Sequence, residues 1–394
     1  MDYLVRLAPN SIFPILRVDL RFSDFELGLL VSVFLWTYGI LSPAAGFIGD
    51  RFSRRTVVIA AVAAWSVVTM LSAAVTRPWH FIVMRGVLGA AEVCFMPTAQ
   101  ALIADYHDVT TRSKAVGLFE VGSYCGIFLA GLPVAYSASR LGWRIMLLLC
   151  GVIGLMLAYA MHMSLPRTAN SERAADYSPI SVAEALSVLK VPSVLAITVC
   201  FCLHSASFWV TTAFLPLFIY EHHHLSLELA AFRGTFYNQL SAAIIMPVFG
   251  AISDFYSSRN PTNRFSICAI AILAAPPALL AVGLGAHAST LLFGLLLLGV
   301  PAAATDASWM PMLCNVTAPR RRATAFGLLN MASCLTGGIA ALVAALLMKS
   351  LGLGIVITSL GALYVALCAL LLFAGYVLLP RDSVAQQVKA VIPG

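Results

Sequence analysis

Charge is scarce in this 394-residue chain: only 10% of residues are Asp, Glu, Lys or Arg, while 60% are hydrophobic. So little polar cover excludes a water-soluble globular fold, because that much apolar surface cannot be hidden inside one. Cysteine pairing is missing as well. All nine cysteines fall inside apolar runs rather than at paired spacing in polar loops, which excludes a disulfide framework and a zinc cluster and leaves them as small packing residues. The formal charge of +7 is not gathered into a basic stripe interleaved with aromatics, so a nucleic-acid surface is excluded. No nucleophile stands at catalytic spacing from a base, so an enzyme is not expected, nor a cofactor or a metal. The first apolar run begins almost at Met1 without a basic lead or a small-residue cleavage site. It therefore reads as a clipped start or a first helix beginning in the interface rather than as a removable signal.

What the chain has in abundance is long apolar runs. With lipid as the solvent, backbone polar groups must be satisfied within each segment, so the runs are expected to be helices of about 20 residues. Charged breaks divide them into twelve spans, near 3–17, 26–49, 56–76, 79–104, 114–139, 143–164, 192–220, 230–252, 265–286, 288–315, 321–349 and 352–379. The expected fold class is thus an all-α membrane protein. If both termini share a side with Arg51, Arg54 and Arg55, that side holds fifteen Lys or Arg against seven opposite. The positive-inside rule then puts the termini in the cytoplasm and the chain in an inner membrane.

The longest polar interval runs from Pro166 to Pro192, and it separates residues 1–165 from 192–394 with a linker at 166–191. The two parts echo each other. Gly46-x-x-x-Asp50 returns as Gly250-x-x-x-Asp254, and Arg112-x-x-x-x-Gly117-Leu118-x-x-x-x-Ser123 returns as Arg322-x-x-x-x-Gly327-Leu328-x-x-x-x-Ser333, at offsets of 204 and 210. Two such matches point to a duplication.

These motifs carry a resemblance. Gly46 to Arg55 resembles the G-x-x-x-D-R-x-G-R-R loop between helices two and three of the major facilitator superfamily, with Ser53 in place of the second glycine. That likeness implies two pseudo-symmetric six-helix bundles rocking about a central site. It also implies a gate in which Asp50 meets the helix beginning near Arg321, together with Arg112. A purely topogenic role for the basic loop is the plainer alternative.

Span four contains Arg85-Gly86-Val87-Leu88-Gly89-Ala90-Ala91-Glu92. Seven residues make nearly two turns, so both charges share a face. Facing lipid would cost each several kcal/mol, about 3 on insertion scales. A wet cavity or an ion pair is therefore expected. The pattern resembles span four of the anion:cation symporters and of Spinster-like lysolipid transporters. In the first branch, the likeness implies that the arginine grips a substrate carboxylate and the glutamate carries the coupling proton. The alternative is an Arg85–Glu92 pair that only holds helices together. Asp2-Tyr3-Leu4-Val5-Arg6 is similar to the N-Y-x-D-R signature of the same branches, with Arg6 as a second anion-binding base and Val5 where the family has an acid. Arg6 could instead snorkel to cytoplasmic phosphates.

Glu120 and Asp306 are candidates to replace that acid, since a desolvated carboxyl group can hold a proton near neutrality. His204 could titrate in the cavity or be a satisfied core histidine. Tyr38, Tyr124, Asn238, Gln239, Trp309 and Asn330 are expected polar contacts for substrate, because such groups would go unpaired in lipid. The function these residues imply is proton-coupled symport of a small organic anion by a monomer, with a Spinster-like amphiphile carrier as the alternative. A drug exporter fits less well, because Gly122-Ser123-Tyr124-Cys125-Gly126 lacks the expected proline. A receptor would carry an added soluble domain.

Overall fold

The computed structural model describes residues 1–107, 111–166, 188–317 and 322–382, and regular structure there is helical. The helices are α1 (Asp2–Ser11), α2 (Phe13–Asp19), α3 (Asp24–Arg51), α4 (Arg54–Ser72), α5 (Pro78–Glu92), α6 (Phe95–Tyr106), α7 (Arg112–Ala130), α8 (Leu132–Leu141) and α9 (Trp143–Ser164). Then come α10 (Pro192–His222), α11 (Leu227–Ser257), α12 (Thr262–Ile272), α13 (Ala275–Leu284), α14 (Ala288–Leu297), α15 (Gly299–Val316), α16 (Arg322–Leu351) and α17 (Leu353–Phe373). Among the described residues eleven stretches are long and apolar enough to cross a membrane. The remaining expected span, 3–17, corresponds to α1 and α2, each too short to cross alone.

Five spans expected as continuous helices are each broken in two, and proline supplies the reason. A proline ring clashes with the carbonyl four residues back. Pro97 aims that clash at Val93, where α5 gives way to α6; Pro301 aims it at Leu297, where α14 ends; Pro276 aims it at Ile272, where α12 ends. Pro133 sits just past Gly131, which separates α7 from α8. In α1, Pro9 precedes the break at Ile12, and Pro14 opens α2. Pro43, Pro216, Pro247 and Pro311 stay inside longer helices.

Other ends have local causes. Ser23 and Glu26 form a reciprocal capping box at the start of α3. Gly142 and Gly352 adopt φ of +87° and +81° at the tight corners before α9 and α17, a region costly to any residue with a Cβ. They stand 210 positions apart, the offset of the second sequence echo.

The chain forms two compact units. One comprises Met1–Ser178, Thr212–Phe236 and Ala341–Lys349; the other comprises Pro179–Thr211, Tyr237–Ala340 and Ser350–Gly394. In the first, small residues allow close helix approach. A Cβ at Gly89 would lie 2.7 Å from the Phe34 carbonyl of α3, and one at Gly151 would lie 2.7 Å from the Ser66 carbonyl of α4. Gly28 abuts Ala345, and Phe13 packs on Phe214 with centroids 6.0 Å apart. Arg17 bridges Asp24 and Glu221 in the same unit.

Candidate functional site

Proline also prepares the main polar cluster. Pro9 has no N–H, so the Val5 carbonyl, four residues back in α1, lacks its usual helical donor. Arg85 reaches across from α5 to this point. Its Nη1 lies 3.5 Å from the Val5 carbonyl oxygen, and its Nη2 donates to the Arg6 carbonyl at 2.9 Å. Gly86 and Gly89 bring α5 against α3, so Phe34 lies 4.6 Å from the Arg85 guanidinium.

Arg6 occupies the middle of the cluster. It donates through Nε to Glu92 Oε2 and through Nη2 to Asp2 Oδ1, both at 3.2 Å. The rings of Tyr38, Tyr3 and Phe34 lie 4.9, 5.0 and 5.3 Å from its guanidinium, an arrangement that favours a desolvated cation. Glu92 is fully buried and Arg85 is 3% exposed; Asp2 and Arg6 are buried too. Two carboxylates and two guanidiniums, with formal charges that cancel, thus share an enclosed site in the first unit. Asp2 Oδ2, Glu92 Oε1 and Arg85 Nε remain buried without a hydrogen-bond partner.

Of the expected site residues, Arg6, Tyr38, Arg85 and Glu92 come together here. Two details differ from expectation, and the snorkelling alternative for Arg6 falls. Arg85 and Glu92 do share a helix face, but the bonded partners lie on α1, because seven residues put the two groups about 10 Å apart along the axis. Arg6 is turned into the protein by Glu92 and Asp2 rather than snorkelling outward. Glu92 is enclosed instead of lining an open crevice. Sequence reasoning missed Asp2, Tyr3 and Phe34, although an acid four residues before Arg6 was a signal for a helical ion pair.

In the second unit, His204 of α10 is buried within an aromatic wall. Its Nε2 lies 3.4 Å from Thr305 Oγ1, its Nδ1 lies 3.5 Å from the Tyr364 hydroxyl, and Trp309 is 6.0 Å away between ring centroids. Asp306 is exposed on α15, although its neighbours Thr305 and Trp309 are buried. Asn238 and Gln239 are half-buried on α11, with Asn238 Oδ1 buried and unpartnered. Asn330 is half-buried on α16, and its carbonyl accepts from Ser333.

The basic hairpin is shorter than the motif suggested. Gly46 to Arg51 belong to α3, leaving Phe52 and Ser53 as the turn. Arg51 is exposed. Arg54 meets both carboxylate oxygens of Asp105 at 2.8 Å, and Arg55 donates to the carbonyls of Leu165, at 2.8 Å, and His162. In the other unit Asp254 accepts from Arg264 at 2.5 Å. The side chains of Asp50, Arg112, Glu120, Tyr124 and Arg322, and the position of Gly46 within its surroundings, lie outside the described residues.

Comparison with known proteins fits this architecture. The family description Major Facilitator Superfamily matches residues 1–275 and 235–392. Protein spinster homolog 1 of Xenopus tropicalis is 25% identical over 366 residues, which covers 86% of this chain and 68% of the frog protein. The human spinster homolog 1 is 29% identical over 188 residues, 46% of this chain and 35% of its own length. A probable L-galactonate transporter of Escherichia coli is 24% identical over 286 residues, covering 69% of this chain and 63% of that protein. Among solved structures, a bacterial homologue of the human lysosomal transporter Spinster, inward-facing and unoccupied, superposes with a TM-score of 0.82 at 17% identity, over 97% of this chain and 95% of that one. A nucleoside transporter superposes at 0.76 with 16% identity, over 95% and 97% of the two chains. At these identities the structural likeness concerns the fold alone.

Proposed function

This chain belongs to the Major Facilitator Superfamily, and on that premise we propose that it moves a small organic anion together with protons. It is a multi-pass membrane transporter rather than an enzyme. The proposed halves are residues 1–165 and 192–394, joined by the cytoplasmic linker 166–191, in a monomer of the inner membrane with both termini inside. Their alternating access would be gated by Gly46, Asp50, Arg51, Arg54, Arg55 and Arg112 in one half and by Asp254 and Arg322 in the other.

One observation carries the coupling: the enclosed cluster of Asp2, Arg6, Arg85 and Glu92 is neutral as a set. A substrate anion held by Arg6 and Arg85 would leave an uncompensated negative charge, a penalty of several kcal/mol in so dry a place. Taking up a proton removes it. Glu92 is the carboxylate bonded to Arg6 from α5, so protonating it frees that guanidinium for the incoming anion. Loading of proton and anion is thereby linked, and each ligand shifts the conformational equilibrium by its different affinity for the two states. Similarity to the spinster homologues supports a second reading, an amphiphile carrier, in which the same arginines hold a lipid headgroup.

The decisive variant is Glu92→Gln in proteoliposomes. Accumulation of labelled anion driven by a pH gradient disappears, while counterflow exchange continues. Accumulation at the wild-type level would refute the coupling role.

A further inference from the structure

Beside the charge cluster, residues of α1, α4, α6, α7 and α9 line a half-open cavity of about 220 Å³. Most of its wall is hydrocarbon, from Val62, Trp65, Phe95, Met96, Phe119 and Met161. Trp65 and Asp2 belong to this wall, and each holds a buried atom without a hydrogen-bond partner: the indole Nε1 of Trp65, a residue 1% exposed, and Oδ2 of Asp2. Trp65 is held edge-on to Phe95 with centroids 4.8 Å apart, so its ring is fixed in place. The other oxygen of Asp2 is the one bonded to Arg6. Asp2 and Tyr3 thus both line the cavity and meet the proposed anion-binding guanidinium of Arg6.

We infer that this cavity receives a compact aromatic group of the transported anion, which makes the substrate an aromatic carboxylate rather than a polyhydroxy acid. The inference rests on the proposed anion symport and narrows its substrate class. Volume sets the scale: an engineered apolar cavity of about 150 Å³ accepts benzene, so a phenyl ring with a short linker fits here. Chemistry excludes the sugar acid, because each hydroxyl of its chain would need a partner and this wall offers few. Met96 and Met161 in the cavity wall can adapt to a flat ring and make favourable sulfur contacts with it. The carboxylate would meet Arg6 where protonation of Glu92 frees the guanidinium.

Gly122 provides a clean test. It lines the cavity, and a Cβ added there meets nothing within 4 Å, so Gly122→Leu fills the space without striking the backbone. Ser123→Leu, from the same wall, is a second variant. Binding of 3-phenylpropanoate and of galactonate is measured by titration calorimetry on the full chain in lipid nanodiscs, with Arg85→Ala alongside. Wild type is expected to prefer 3-phenylpropanoate, and filling the cavity to weaken it by about tenfold or more while leaving any galactonate binding alone, as loss of a buried ring requires. Unchanged 3-phenylpropanoate affinity in both filled variants overturns the inference and leaves the symport reading standing. Binding that survives Arg85→Ala but not Gly122→Leu supports the cavity and defeats the anion role of Arg85. Failure of wild type to bind either acid overturns both.

Discussion

Arg6 connects three charged neighbours, and its removal separates structural from transport roles. Arg6→Ala strands Asp2 and Glu92 as buried carboxylates, and breaking a buried pair in this way costs about 3–5 kcal/mol. The expected result is a large fall in melting temperature, partly restored in Arg6→Ala with Glu92→Gln, because the second change removes a charge left without its partner. A cycle with strictly additive losses would place the two residues in separate environments. Arg85 is held by backbone carbonyls of α1, so Arg85→Lys, which cannot span both acceptors with a planar fork, should lower anion affinity more than it lowers stability. Competition binding against thermal melting distinguishes the two effects. At this scale the sequence was most legible where charge met apolar surroundings: Arg6, Arg85 and Glu92 stand out for that reason. Tyr3 and Phe34 do not, since one more aromatic in an apolar chain carries no mark of a cation beside it. Asp306 shows the converse, for adjacency to Thr305 and Trp309 in sequence did not give it their orientation.

Helix contacts depend on where a Cβ can be tolerated. Gly89 faces the Phe34 carbonyl at a distance no Cβ normally adopts, whereas Gly122 faces open space. Gly89→Ala should therefore destabilise the chain by about 1–3 kcal/mol, as overpacking does. Gly122→Ala should be neutral or stabilise by up to about 1 kcal/mol through helix propensity. Thermal melts of the two variants in detergent check this contrast; equal effects would mean that α5 does not pack on α3 as described. Helix existence was readable from hydropathy, but continuity was not. Pro97 and Pro301 break their helices while Pro216 and Pro247 lie inside long ones, because the outcome depends on whether neighbours can satisfy the freed carbonyls. The Ser23–Glu26 capping box, by contrast, is entirely local.

Orientation is a property of the whole molecule, set by the summed bias of Lys and Arg between its two sides. Ser53→Cys in the basic hairpin should react with a membrane-impermeant thiol reagent only from the cytoplasmic side, and His224→Cys only from the other, in a background without the native cysteines. Labelling of Ser53→Cys from outside would reverse the proposed topology.

The composition and the lengths of the apolar runs by themselves determined a helical membrane protein, since lipid leaves a backbone little choice but to bond within its own segment, and the Gly46 to Arg55 motif carried the resemblance to the superfamily. Periodicity likewise put Arg85 and Glu92 on one face. Only the tertiary structure decided their partners: Pro9 freed a carbonyl on α1, glycines drew α5 in, and Arg6 arrived between the charges from more than seventy residues away in sequence. Spacing along one helix fixes direction, but which group waits there depends on how separate helices pack.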